Sequence, residues 1–225
     1  MNLPINTKKL NIYFICRYIL NFGKRSTINT DMGNSASMTQ PYSKDQLDKI
    51  GNTLRFLTSD SSQPKTKILK MIYLLEEASI KKYGVPFFNI PFEVWQFGPV
   101  PRPIYTSLHH LFQDYIDLST VGSAKGDVAL VTAKGEFNDD EFSDNDLEIL
   151  SEIKQTYSKE STDNLVNLTH KEGSPWHIAA VENNLLDQFN RGKTSTEHLI
   201  NLESVIESSI LKEIYQDYKE CHGDC

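Results

Sequence analysis

Lys67 to Tyr105 reads KILKMIYLLEEASIKKYGVPFFNIPFEVWQFGPVPRPIY. In its first half, Ile68, Ile72, Leu75 and Ser79 follow one another by three or four residues, while lysines and glutamates occupy the other faces. That spacing predicts an amphipathic helix opened by Pro64 and stopped at Gly84, with Pro86 just beyond. In the second half, Pro86, Pro91, Pro99, Pro101 and Pro103 make residues 85–103 an extended, turn-rich connector. Proline lacks the N–H needed inside a helix or a central strand. Pro103 suits the first position of a following helix, with Ile104, Leu108, Leu111 and Tyr115 as its buried stripe.

Working outward, Ser43 and Gln46 stand at capping-box spacing before Leu47, Ile50, Leu54 and Leu57, which predicts a helix ahead of the central one. Beyond Tyr115, Gly122, Gly126 and Gly135 punctuate a stretch in which VALV at 128–131 suits a strand of a small hairpin. Helical spacing returns from Ser143 through Leu147, Leu150, Ile153 and Tyr157. A short helix near 162–169 and another from Pro175 follow. Thr194 with Glu197 reads as a second capping box, and Leu199, Leu202, Ile206, Ile210 and Ile214 as the stripe of a last helix. The expected fold is mainly α, a compact multi-helix domain with any sheet confined to a small hairpin within about residues 116–137.

Residues 1–41 read as a flexible N-terminal extension, residues 42–220 as the domain and residues 221–225 as a disordered tail. Lys8 and Lys9 precede the apolar run LNIYFICRYIL, but Arg17 interrupts it and no small-residue cleavage site follows directly. Met32 and Met38 lie in the polar linker just before the first patterned helix, so an upstream start codon called in error would explain the segment. The chain has 225 residues, 39% hydrophobic and 24% charged, as in a soluble globular protein. Its net charge of −7 argues against general nucleic-acid binding, which needs a basic face. Three cysteines, Cys16, Cys221 and Cys225, are too few for a disulfide framework, and a reducing cytoplasm is the economical setting.

The chemistry-bearing motifs are mostly missing: no Walker A loop, dinucleotide fingerprint, H-E-x-x-H or G-x-S-x-G occurs. His170 and His177 flank HKEGSPWH, where turn-fixing hydrogen bonds weigh more than acid–base or metal chemistry. CHGDC at the C-terminus lacks the four ligands of a closed zinc site, and a frayed end is the reading preferred there. His109 and His110 suit a solvated helix face, and DDEFSDND at 139–146 a solvated helix entry rather than a calcium loop. No metal or cofactor is expected.

Taken in order, Lys67 to Tyr73, Tyr83 to Phe88, Glu93 to Tyr105 and Thr169 to Trp176 resemble the hallmarks of the Panacea domain. That family includes SocA-type antitoxins and phage-associated GepA-like proteins. The hallmarks are K-L-x-K-L-x-Y, Y-G-x-P-L-F, E-A-W-x-Y-G-P-V leading to a tyrosine, and T-H-x-x-x-P-W. The resemblance covers roughly residues 44–190. Val94 stands for the usual alanine, Phe97 for tyrosine, and Arg102 lies between two prolines.

The resemblance implies a compact helical antitoxin that binds and neutralises a cognate toxin, with no catalytic constellation. An alternative is a proteolytic adaptor that presents the bound toxin to an ATP-dependent protease. A histidine-dependent enzyme built on His170 and His177 ranks last. Neither a membrane nor nucleic acid is an expected partner. The residues expected to bind the partner or carry the motif are Trp95, Phe97, Gly98, Pro99, Arg102, Tyr105, His170 and Trp176. Trp95 and Phe97 are expected to plug the core while Arg102 faces the partner. An acidic chain suits a basic toxin, such as one acting on RNA or nucleotides.

Overall fold

The computed structural model describes residues 42–123 and 126–223, so the expected extension at 1–41 lies outside the described residues. They fall within the unit Gln40–Cys225. In order, the elements are α1 (Lys44–Thr58), β1 (Gln63–Pro64), α2 (Lys65–Tyr83), β2 (Glu93–Trp95), β3 (Gly98–Val100) and α3 (Arg102–Leu111). The long hairpin β4 (Ile116–Ser123) and β5 (Gly126–Ala133) follows, then α4 (Asp144–Tyr157), α5 (Thr162–Thr169), α6 (Pro175–Glu182) and α7 (Leu186–Asn190). A 3-10 turn (Leu202–Val205) leads to α8 (Ser209–His222).

Helix starts follow their local chemistry. At α1, Gln46 N donates to Ser43 Oγ at 3.2 Å and Ser43 N donates to Gln46 Oε1 at 3.0 Å. Ser143 and Asp146 repeat the reciprocal pair at α4. Each box satisfies two donors that the first helical turn leaves unpaired. Gly84 ends α2 in the left-handed region at φ 68, where its N–H donates to Ile80 O at 2.9 Å.

α2 is the axis of the domain and packs against α4, α5, β3, the 3-10 turn and α8. Residues 67–76 are buried without interruption, so this half of the helix has no solvent face. The expectation that its lysines and glutamates lie on outer faces is therefore corrected at Lys67, Lys70 and Glu76, which are all buried. Leu69, Met71 and Leu74 add to the Ile68–Ile72–Leu75 stripe, and the apolar surface wraps the helix.

The sheet content also exceeds the expectation. The hairpin at 116–133 is present, and β1 adds to it antiparallel, giving the order β1–β5–β4. A second sheet lies in the proline-rich connector, where β2 and β3 pair with Trp95 opposite Gly98. Pro99 is tolerated in β3 because its carbonyl, rather than an N–H, makes the buried contact, accepting from Lys70.

The helix expected from Thr194 is replaced by an extended run along β2. Val94 N donates to His198 O, Gln96 N to Thr194 O and Ile200 N to Phe92 O, at 2.9 to 3.0 Å. Thr196 and Ile200 turn inward in this run while Leu199 between them is exposed, and Ile210, expected in the same stripe, is exposed on α8. α8 then reaches His222, so residues 221 and 222 of the expected disordered tail are helical.

Candidate functional site

The connector is tied to the central helix by one buried amine. Lys70, 1% exposed, donates from Nζ to Pro99 O at 2.7 Å. Burial depresses its pKa from 10.5 to about 7. Gly98 lets the two elements approach. Its φ is 96, and a Cβ there would lie 2.7 Å from Thr169 Oγ1 and 3.2 Å from Lys70 Nζ. A side chain at 98 meets both a disfavoured backbone region and an occupied space.

Thr169 brings the late motif to the same joint. It closes α5, and Ser174 fixes the following turn by donating from Oγ to Thr169 O at 2.8 Å while accepting from His177 N at 3.2 Å. The turn is thus held by Ser174, which corrects the assignment of that task to His170 and His177. His170 instead packs against Trp176, with ring centroids 3.8 Å apart and the planes tilted by 35°. Burial, then the Lys70 and His177 charges, push its pKa down to about 4. Trp176 is buried, donates from Nε1 to Trp95 O at 2.9 Å, and stacks on Phe189. Lys70, Gly98, Pro99, Thr169, His170 and Trp176 therefore form one interior joint behind the β2–β3 hairpin.

The outer side of that hairpin is different in kind. Trp95 is half-buried and packs edge-on to Tyr105 at 5.0 Å. Lys65 caps the pair, with Nζ 3.8 Å from the Tyr105 ring centre and donating to Tyr105 O at 3.0 Å. Glu93 is buried and accepts from Trp95 Nε1 at 2.8 Å. Arg102, with its side chain 48% exposed, bridges Glu93 at 3.5 Å and Glu197 at 3.1 Å. Glu93, Trp95, Arg102 and Glu197 border a groove of about 630 Å³ shared with Lys193, Ser195, Thr196 and His198. Phe97, expected to plug the core, is 60% exposed. It occupies the two-residue turn between β2 and β3, where no core lies within reach.

Lys70, Glu93, Thr169, Ser174 and Glu197 were not candidates from the sequence. Neither was Glu76, whose carboxylate accepts from Phe88 N at 2.7 Å and Asn89 N at 3.0 Å and so anchors the loop leading into β2. Burial lifts its pKa to about 7 against the pull of those N–H groups. A legible signal existed: Lys67, Lys70, Tyr73 and Glu76 recur every three residues, a polar line inside an apolar wrap. Among the described residues no three His, Cys, Asp or Glu side chains gather to hold a metal, and no helix is long and apolar enough to cross a membrane. His109 and His110 are exposed on α3.

Residues 68–177 match the family model described as antitoxin SocA-like, Panacea domain. The match begins in α2 and ends in α6, and so spans Lys70, the hairpin, Arg102 and the Thr169–Trp176 turn. No curated protein and no solved structure matches the chain.

Proposed function

We propose that this protein is a cytoplasmic antitoxin that neutralises a cognate toxin by direct, non-catalytic binding. The binding face is the outer side of the β2–β3 hairpin and the start of α3. One observation carries the reading: within the segment matching the SocA-like antitoxin family, a buried joint holds a short hairpin that presents Phe97 beside Arg102 and Tyr105 at the start of α3. A tethered hairpin loses little entropy on binding, and aromatic and arginine side chains are the common anchors of protein interfaces. Neither the hairpin nor the joint needs a substrate or cofactor for this role.

The net charge of −7 and the exposed carboxylate of Glu197 favour a basic toxin surface through charge complementarity. Arg102 is already neutralised by Glu93 and Glu197, so it offers its planar face and remaining donors rather than an unbalanced charge. The test is co-expression with a toxic product encoded beside this gene. Rescue by wild type, and weaker rescue by folded Phe97→Ala and Arg102→Ala variants, supports the reading. Rescue that requires an ATP-dependent protease and shortens the toxin's lifetime replaces it with delivery to proteolysis.

A further inference from the structure

β4 lies at one edge of the sheet ordered β1–β5–β4. Its register with β5 runs without a bulge from Ile116 opposite Ala133 to Ser123 opposite Gly126. Just before it, Lys134 N donates to Tyr115 O at 2.9 Å. Hydrogen-bonded and non-hydrogen-bonded pairs alternate in an antiparallel ladder. The odd-numbered residues of β4 therefore bond to β5, while Leu118, Thr120 and Gly122 turn their N–H and C=O groups away from it. Ile116 also turns away, and Phe112 O takes its N–H at 3.0 Å. No strand among the described residues covers this edge, and residues 119–123 are exposed.

Exposed edges are usually blunted by lysine, proline, a bulge or very short length. The opposite edge follows that rule, since β1 is two residues long and ends in Pro64. β4, with the sequence IDLSTVGS, has no lysine, proline or bulge over eight residues, and Asp117 near its start is its one charged side chain.

We propose that β4 is a self-pairing edge. Two copies of the chain join by antiparallel β4–β4 addition about a two-fold axis at Thr120, and their sheets merge into one of six strands. Outward residues must face outward residues, so a two-fold centred on Thr120 pairs Leu118 with Gly122 and Thr120 with itself, using all three. Centring on Leu118 requires Ile116, which is buried and whose N–H is taken. Centring on Gly122 leaves Leu118 without a β4 partner. In the Thr120 register, Asp117, the one charge in β4, faces Ser123 of the second copy, and Ser119 faces Val121. No like charges are opposed, which matters for two copies of a chain with net charge −7. The contact uses the same patch twice and closes, so it ends at a dimer.

The experiment uses the purified full chain in sedimentation velocity over a concentration series, with non-reducing gels of cysteine variants beside wild type. Hydrogen-bonded antiparallel partners have Cα atoms about 5.5 Å apart, within the span of a disulfide. Thr120→Cys is expected to form a covalent dimer on mild oxidation. Val121→Cys, equally exposed but facing Ser119, is expected not to do so. Thr120→Pro removes an N–H that β5 does not use, so the fold persists by circular dichroism while dimer dissociation rises by about tenfold or more. Should that variant unfold, Thr120→Lys places like charges across the axis and is expected to give the same shift. A wild type that stays monomeric throughout, or equal crosslinking at 120 and 121, overturns the proposal. So does a monomer in which Thr120→Pro abolishes toxin neutralisation, because the edge then serves a partner strand.

Discussion

Lys70 Nζ and Pro99 O lie 2.7 Å apart in the interior, joining the N-terminal half of the central helix to the strand that leads into α3. This contact links residues 29 apart in sequence and holds the hairpin that carries Trp95 and Phe97, just ahead of Arg102 at the start of α3. Its energetic character follows from burial: an ammonium group there is disfavoured, and the amine titrates at about 7 instead of 10.5.

A pH dependence of stability follows. Between about pH 7 and 10.5 the unfolded chain holds a proton on Lys70 that the folded chain has released, so stability rises with pH across that window. Lys70→Met is expected to flatten the rise, by on the order of 3 kcal/mol between pH 7 and 9.5. Urea midpoints of both proteins across that range provide the check. An unchanged slope in the variant would show that Lys70 is not the titrating group.

His170 acts at the acid end. Its folded pKa of about 4 lies below the ordinary 6.5, so as pH falls from 6.5 toward 4 the unfolded chain takes up a proton first and stability declines. His170→Phe keeps a ring against Trp176 and is expected to weaken that decline. Thermal melts at pH 7 and pH 5 measure it, and the wild-type loss between them should exceed the variant's.

Trp176 joins the late turn to the hairpin through both its ring and its Nε1–H bond to Trp95 O. Trp176→Ala is expected to cost about 3–5 kcal/mol, the range for truncating a large buried aromatic. Chemical denaturation is the measurement. A wild-type midpoint would mean that the joint does not hold the hairpin.

The parts of this fold that were legible in the sequence are those made by local chemistry. The Ser43–Gln46 box, the helix beginning at Ser143, the Gly84 stop and the hairpin at 116–133 each depend on residues close in the chain. What escaped depends on distant partners. Lys70 and Glu76 look like solvent-facing charges until Pro99 O and the Phe88 and Asn89 N–H groups are brought to them. Thr194 and Glu197 have capping-box spacing, but β2 offered its unpaired edge to that segment and a strand-like run prevailed. Of the candidate site, Trp95, Gly98, Pro99, Arg102 and Trp176 were singled out from motif order. Their division into an interior joint and an outer face was not, because spacing alone does not say that Phe97 sits on a turn.

The most direct test is a binding titration of the purified chain against the purified product of the neighbouring reading frame, read by calorimetry alongside residual toxin activity. Direct neutralisation predicts a stoichiometric complex, with activity falling in proportion to occupancy. It also predicts that Arg102→Ala, folded by its melting curve, binds about 30-fold more weakly, a loss of about 2 kcal/mol. No complex, or inactivation of many toxin molecules by one molecule of this protein, would contradict neutralisation by direct, non-catalytic binding.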